Sequence, residues 1–327
     1  MGQVYLAEDR TNNNVQCVIK QLQNKYSDPD EHAEAIRLFQ REATILRSLH
    51  HPGIVRFYDD YASEDGRYFL VMDYVPGKDL EQMVKSGGPF TSDAAVRISI
   101  QCCEVLEYLH SISPPVIYRD LKPSNLMLTP DGRVVFVDFG IARSFMPKVA
   151  ATRVVTAGYS PPEQYFGKPE TRSDLYSLGA TISHLVTGVR PKPLALCTPG
   201  LLNSKVIPSL DALVRNLTAH SPDDRPATAQ AVRWELYKIY KEMHPEFQLP
   251  EDAGIPESYI KKAAAAAREA AHSEPDIRSL ARFRASPYDS RQRGNSADAA
   301  SQRPGFREEP TVGFWGRFKQ WLQIFMS

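Results

Sequence analysis

The order of four polar residues constrains this chain more than its composition does. Asp120, Lys122 and Asn125 fall within the run Tyr118-Arg119-Asp120-Leu121-Lys122-Pro123-Ser124-Asn125, and Asp138 opens Asp138-Phe139-Gly140 after the apolar stretch Val134 to Val137. A short apolar stretch bounded by turn residues reads as a strand, so the second carboxylate stands at a tight turn just past a strand end. Any one of these residues is common in a loop, where an Asp most often caps a turn. The ordered D-x-K-x-x-N followed by D-F-G is far rarer.

Phosphoryl transfer from ATP needs this set of groups. One Asp orients the attacking hydroxyl, the lysine neutralises the γ-phosphate, and the Asn and the second Asp hold metal ions. On these motifs the chain resembles eukaryotic-type Ser/Thr protein kinases, most closely their bacterial branch, over roughly residues 1–243. Further blocks stand in the family's order. Val15 to Gln21 looks like the strand bearing the ATP-binding lysine, here Lys20. Phe39 to Glu42 looks like helix C, Val71 to Val75 like the hinge, and Ser160-Pro161-Pro162-Glu163 stands where the family has Ala-Pro-Glu. Asp174 and Arg225 match the two residues that anchor loops in the larger lobe.

The resemblance assigns roles residue by residue. Asp120 accepts or orients the proton of the substrate hydroxyl, and Lys122 meets the γ-phosphate and favours Ser/Thr over Tyr specificity. Asn125 and Asp138 become oxygen ligands for Mg²⁺. Lys20 would be balanced by the ATP phosphates and by Glu42. Taken alone, Lys20 reads as a solvated edge lysine. Glu34 is the rival to Glu42, which Leu46 and Leu49 follow at the family spacing. Val4, Val18, Met72 and Met127 would sandwich the adenine, whose edge the backbone of Asp73 and Val75 would read. Taken singly, these apolar residues are more often core than ligand contacts. Tyr118 replaces the family's usual His at a packing position, which implies no loss of chemistry. The segment from Ser144 to Ser160 corresponds to an activation loop. Thr152 is its best phosphosite candidate, with Ser144 weaker and Thr156 aligned with a threonine that contacts the catalytic Asp and Lys. A phosphate on Thr152 would pair with Arg119.

The pattern along the chain predicts an α+β arrangement with two lobes. A small antiparallel-sheet lobe runs to about residue 75, and a larger helical lobe covers about 76–243. Gln3 to Glu8 and Val15 to Leu22 read as strands around Thr11-Asn12-Asn13-Asn14, as do Ile54 to Ala62 and Tyr68 to Tyr74. Asp30 to Leu49 has helical spacing, and Ser92 to Ser111 reads as a long buried helix capped by Thr91 or Ser92. The N-terminus departs from the family. Of the loop G-x-G-x-x-G-x-V only Gly2-Gln3-Val4 is present, without the first two glycines and the strand before them. Either the start codon is placed too late, or the chain is truncated by nature and holds ATP less well. In both cases the sheet is expected to lack its first, edge strand.

The length of 327 residues suits one catalytic domain with a tail, and a formal net charge of zero argues against nucleic acid as a partner. The cysteines Cys17, Cys102, Cys103 and Cys197 lack metal-ligand spacing and suit a reducing cytosol. Neither a signal peptide nor an apolar run of membrane-spanning length is legible, so the expected location is cytoplasmic. Residues 244–311 read as linker, helix-prone over Lys261 to Ala271 and disordered over Ser273 to Pro310. In 312–327, Phe314, Trp315, Phe318, Trp321, Leu322 and Phe325 recur at helical spacing opposite Arg317 and Lys319. That stripe suits an anionic membrane surface or docking on the kinase lobe or a partner. The expected activity is ATP- and Mg²⁺-dependent phosphorylation of protein substrates on Ser/Thr. The rivals are a pseudokinase scaffold without a complete glycine loop and a small-molecule phosphotransferase.

Overall fold

The computed structural model describes residues 3–10, 12–22, 43–44, 46–63, 67–139 and 156–250, and the backbone of 283–287. Its first strands are β1 (Val4–Asp9) and β2 (Val15–Leu22), paired antiparallel with Val4 opposite Lys20. The turn between them places Asn13 and Asn14 at φ of 50° and 55°, a left-handed conformation that Asn tolerates better than most residues. Strands β3 (Phe57–Ala62) and β4 (Tyr68–Asp73) follow. The strand read from Ile54 begins later because the chain there is tied elsewhere. Ile54 bridges Phe136, and the Val55 N–H donates to the Phe136 carbonyl at 3.0 Å.

A second sheet joins β5 (Lys78–Asp79), β6 (Leu126–Leu128) and β7 (Val134–Phe136). The helical lobe contains α1 (Leu80–Gly87), α2 (Ser92–Ser111), α3 (Pro162–Tyr165), α4 (Thr171–Thr187), α5 (Pro199–Leu202), α6 (Pro208–Leu217) and α7 (Ala229–Met243). Asp79 caps α1 by accepting from the Gln82 N–H at 2.8 Å, and Thr91 caps α2 through the Ala94 N–H at 3.2 Å. Helices α2 and α4 are buried on most of their circumference, so they form the centre of this lobe. Helix α7 packs on α2, where Arg233 holds Glu107 through two hydrogen bonds of 2.7 and 2.8 Å. All four cysteines are buried thiols outside any disulfide, and Cys102 and Cys103 lie in the core. Among the described residues no helix is long and apolar enough to cross a membrane.

The larger sheet has the order β3-β4-β2-β1-β8, where β8 is Phe283–Pro287. The edge of β1 away from β2 is paired, by a strand from the segment that composition reads as disordered linker. Short-range composition carries no signal for a strand whose partner lies so far away along the chain.

His51 gives the domain an acid-sensitive point. Burial lowers its pKa from 6.5 to about 4, and its Nδ1 accepts the Gly53 N–H at 3.0 Å, which requires the neutral ring. The unfolded chain takes up this proton near pH 6.5, whereas the folded chain resists until about pH 4. Stability is therefore expected to fall as pH drops through that window, by roughly 3 kcal/mol at full extent. Chemical denaturation of wild type and His51→Asn at several pH values checks this. The difference in their pH slopes should be confined to that window, and equal slopes would remove His51 from the account.

Candidate active site

Two neighbouring clusters of charge form where the lobes meet. Alternation along β2 puts Val18 and Lys20 on one sheet face and Cys17 and Ile19 on the other. Lys20 therefore points towards the helical lobe, where its Nζ lies 2.5 Å from Asp138 Oδ1. Asp138 follows β7 in the turn that begins the D-F-G motif. Glu42 and Gly2 lie outside the described residues, so the described carboxylate partner of Lys20 is Asp138.

The second cluster centres on Asp120. Lys122 Nζ donates to Asp120 Oδ2 at 3.0 Å, and Asn125 Nδ2 donates to the same oxygen at 3.0 Å and to the Asp120 carbonyl at 2.9 Å. The Thr156 hydroxyl donates to Asp120 Oδ1 at 2.7 Å. Thr156 also donates its N–H to Ser160 Oγ at 3.0 Å within the same segment, so it is the hydroxyl bond that ties the end of this segment to the loop bearing Asp120. Thr156 thus uses its hydroxyl within the loop. Ser144 and Thr152 lie outside the described residues, as does the aromatic stripe Phe314 to Phe325.

The loop that presents Asp120 is held from below. Asp174, fully buried in the first turn of α4, accepts the N–H of Tyr118 at 2.9 Å and of Arg119 at 2.8 Å, and meets His110 Nε2 at 2.9 Å. Arg119 has φ 65°, so these bonds stabilise a backbone conformation that a non-glycine residue adopts rarely. Tyr118 fills the position beneath the D-F-G turn as a packing residue. Its ring centroid lies 4.8 Å from that of Phe136 and 4.9 Å from that of Phe139, which meets Phe57 edge-on at 5.9 Å. The Tyr118 hydroxyl is buried without a hydrogen bond of ordinary geometry, with the Asp138 backbone nearby.

Further along, Arg225 has no exposed side-chain surface and grips Glu163 through Nη1 at 2.7 Å and Nη2 at 3.0 Å. Its remaining bonds go to the carbonyls of Ala219, Arg172 and His220. Burial alone would raise the Glu163 pKa, but hydrogen bonds from Arg225 and Ser173 hold it below the usual value. Gly158 sits at φ 89°, and a Cβ there would come within 2.1 Å of the Pro191 carbonyl oxygen, so this turn requires glycine.

An open cleft lies between the lobes, with about 630 Å³ of space that includes the solvent at its mouth. Val4, Val18, Lys20, Met72, Asp73, Val75, Asn125 and Asp138 are among the residues that line it. Met127 does not. It is fully buried, paired with Val135 between β6 and β7, and outside the lining. The sequence reading passed over Val55, Tyr74, Ser124 and Val137, which also line the cleft. Tyr74, Ser124 and Val137 adjoin residues that the motifs singled out, and that adjacency was a usable signal. Val55 reaches the cleft only through its tie to Phe136 and carried none. The side chain of Asp73 accepts a hydrogen bond from the Tyr58 hydroxyl, and its N–H donates to the Arg56 carbonyl at 2.9 Å.

Comparison with known proteins agrees with this geometry. The chain is 37% identical over 191 residues to serine/threonine-protein kinase B of Synechocystis, covering 54% of this chain and 33% of that protein. It is 34% identical over 261 residues to a probable serine/threonine-protein kinase of Streptomyces coelicolor, covering 72% of this chain and 37% of the relative. The chain therefore spans about a third of the length of these curated relatives. Among solved structures, the PknI kinase domain of Mycobacterium tuberculosis superposes with a TM-score of 0.60 at 26% identity, covering 73% of this chain and 91% of that one. Residues 1–235 match the family model described as the protein kinase domain, and the chain belongs to that family, in the bacterial branch of its eukaryotic-type Ser/Thr members.

Proposed function

We propose that this chain transfers the γ-phosphoryl group of ATP to Ser or Thr hydroxyls of proteins. The observation that carries the reading is the position of Asn125, which lines the cleft and also hydrogen-bonds Asp120. It joins the cleft between the lobes to a carboxylate that already accepts a threonine hydroxyl at 2.7 Å. In this reading Val4, Val18 and Met72 enclose the adenine, and the Asp73 carbonyl and the Val75 backbone meet its edge. Lys20 and Lys122 neutralise phosphate charge, and Asp120 orients the attacking hydroxyl and receives its proton.

The residues present fit Mg²⁺. Asn125 uses its amide nitrogen on Asp120, which leaves its oxygen for a cation, and Asp138 offers a half-exposed carboxylate in the same cleft. Among the described residues no cluster of three or more His, Cys, Asp or Glu side chains could hold a metal without help. Phosphate oxygens and water would therefore complete the shell, as Mg²⁺ prefers. The ion would supply charge neutralisation at the phosphates.

Labelled ATP and a mixture of Ser-, Thr- and Tyr-containing peptides test the reading. Transfer should require Mg²⁺ and appear on Ser or Thr. Asp138→Asn should lower the rate about 10²- to 10³-fold, the usual cost of removing one charge-stabilising group. Nucleotide binding without transfer under any divalent cation would favour a scaffold instead.

A further inference from the structure

Gln164 stands where two segments that carry the chemistry meet. It belongs to α3, and 7% of its surface is exposed. Its Nε2 donates to the Arg119 carbonyl at 3.1 Å and to Ser160 Oγ at 3.2 Å. Ser160 Oγ also accepts the Thr156 N–H at 3.0 Å, and the Thr156 hydroxyl donates to Asp120 Oδ1 at 2.7 Å. Arg119 precedes Asp120 in the chain, so these contacts close a ring. We infer that Gln164 is a positioning residue for phosphoryl transfer. Its amide ties the peptide group just before Asp120 to the turn that carries Thr156, and so fixes the aim of the catalytic carboxylate. The inference rests on reading Asp120 as the group that receives the substrate proton.

The orientation of the amide follows from its partners. A backbone carbonyl only accepts, so the atom facing Arg119 must be the amide nitrogen. Its two hydrogens serve the two acceptors, and Oε1 is left buried without a hydrogen-bond partner among the described residues. A buried acceptor in that state is costly and uncommon in folded proteins. An apolar side chain of similar volume would avoid the cost, and would lose both donors.

The coupling to Asp120 is short and stiff. Arg119 holds φ 65°, its N–H donates to Asp174 Oδ1 at 2.8 Å, and its carbonyl accepts from Gln164. A residue in this sparsely populated region persists only where its surroundings over-determine it. The carbonyl belongs to the planar peptide unit that joins Arg119 to Asp120, so turning it turns the Asp120 backbone. The other end of the coupling is anchored as well, because the neighbouring Glu163 is gripped by the buried Arg225 at 2.7 and 3.0 Å. Misplacing a reacting group by about 1 Å can cost about 10²-fold in rate, so small rotations of this peptide matter.

The test compares wild type with Gln164→Met, which keeps the unbranched shape and removes both donors. Ser160→Ala removes one small hydroxyl, opens the same ring elsewhere, and stands in if the methionine variant does not fold. Hydrogen exchange without nucleotide is the first readout. The Arg119 amide should exchange at least about tenfold faster in Gln164→Met, because its carbonyl is no longer held. The second readout is turnover per nucleotide-binding molecule, which discounts any unfolded fraction. The kcat for peptide phosphorylation should fall about 10- to 100-fold. The Kd for Mg-ATP should stay within about twofold, because Gln164 lies outside the cleft lining. In the double variant kcat should fall no further than in the worse single variant, since one break already opens the ring. Unchanged exchange in Gln164→Met would overturn the clamp. Faster exchange with wild-type kcat would overturn the positioning role, and so would a loss of activity that only tracks a loss of ATP binding. Additive losses in the double variant would overturn the coupling through Ser160. A wild-type chain that binds Mg-ATP but phosphorylates no peptide would sink the reading of Asp120 and leave the exchange result to judge the clamp.

Discussion

Asp120→Asn should leave a folded protein that binds Mg-ATP and transfers almost nothing. Asp120 uses one carboxylate oxygen on the Thr156 hydroxyl and the other on Lys122 and Asn125. An asparagine of the same shape keeps a carbonyl oxygen for one of these sets. It cannot take a proton from a substrate hydroxyl, and its amide nitrogen faces donors on the other side. Loss of a positioned general base typically costs 10²- to 10⁴-fold, so kcat for peptide phosphorylation should fall by about that factor. Asp120 is absent from the cleft lining, so the Kd for Mg-ATP should change by less than about twofold, because the interaction lost belongs to the transition state. Stopped-time assays with labelled ATP give the first number and equilibrium titration the second. A variant with wild-type kcat would remove Asp120 from the chemistry. A variant that also lost ATP binding would show that Asp120 supports the cleft rather than the transfer step.

The legibility of this site follows from the distances over which its residues act. Asp120, Lys122 and Asn125 lie within one loop, and Asp138 follows a three-stranded unit closed by the same loop. Their spacing in sequence is almost their spacing in space, so the motif alone locates them. Helix α2 was legible to the residue, because Thr91 supplies a cap and the apolar positions recur without a break. Val55 and β8 were missed for a global reason. Val55 reaches the cleft through a bond to Phe136, and β8 through pairing with a strand at the other end of the chain. No window of sequence contains both members of either contact.

Asp174 should show how much of the catalytic geometry rests on one buried carboxylate. It has no exposed surface and accepts from two successive backbone amides, Tyr118 at 2.9 Å and Arg119 at 2.8 Å, while His110 approaches at 2.9 Å. In Asp174→Ala both amides lose their acceptor. An orphaned buried donor costs about 1–3 kcal/mol, so the variant should be destabilised by roughly 3–5 kcal/mol. For a domain of this size about 1 kcal/mol corresponds to about 2–4 °C, which predicts a fall in Tm of about 6–20 °C. Activity should fall as well in the fraction that remains folded. The same two bonds hold Arg119 at φ 65°, and release of that residue to an ordinary conformation would rotate the loop that aims Asp120. Asp174→Asn separates the two effects. Its amide can satisfy one backbone N–H but must present a donor to the other group. Its Tm should therefore lie between those of wild type and Asp174→Ala, with kcat still reduced. Thermal unfolding and kcat, measured on both variants well below their Tm, decide the matter. A native Tm in Asp174→Ala would mean that the loop holds its shape without the carboxylate. A lowered Tm with wild-type kcat would mean that Asp174 stabilises the helical lobe without aiming Asp120.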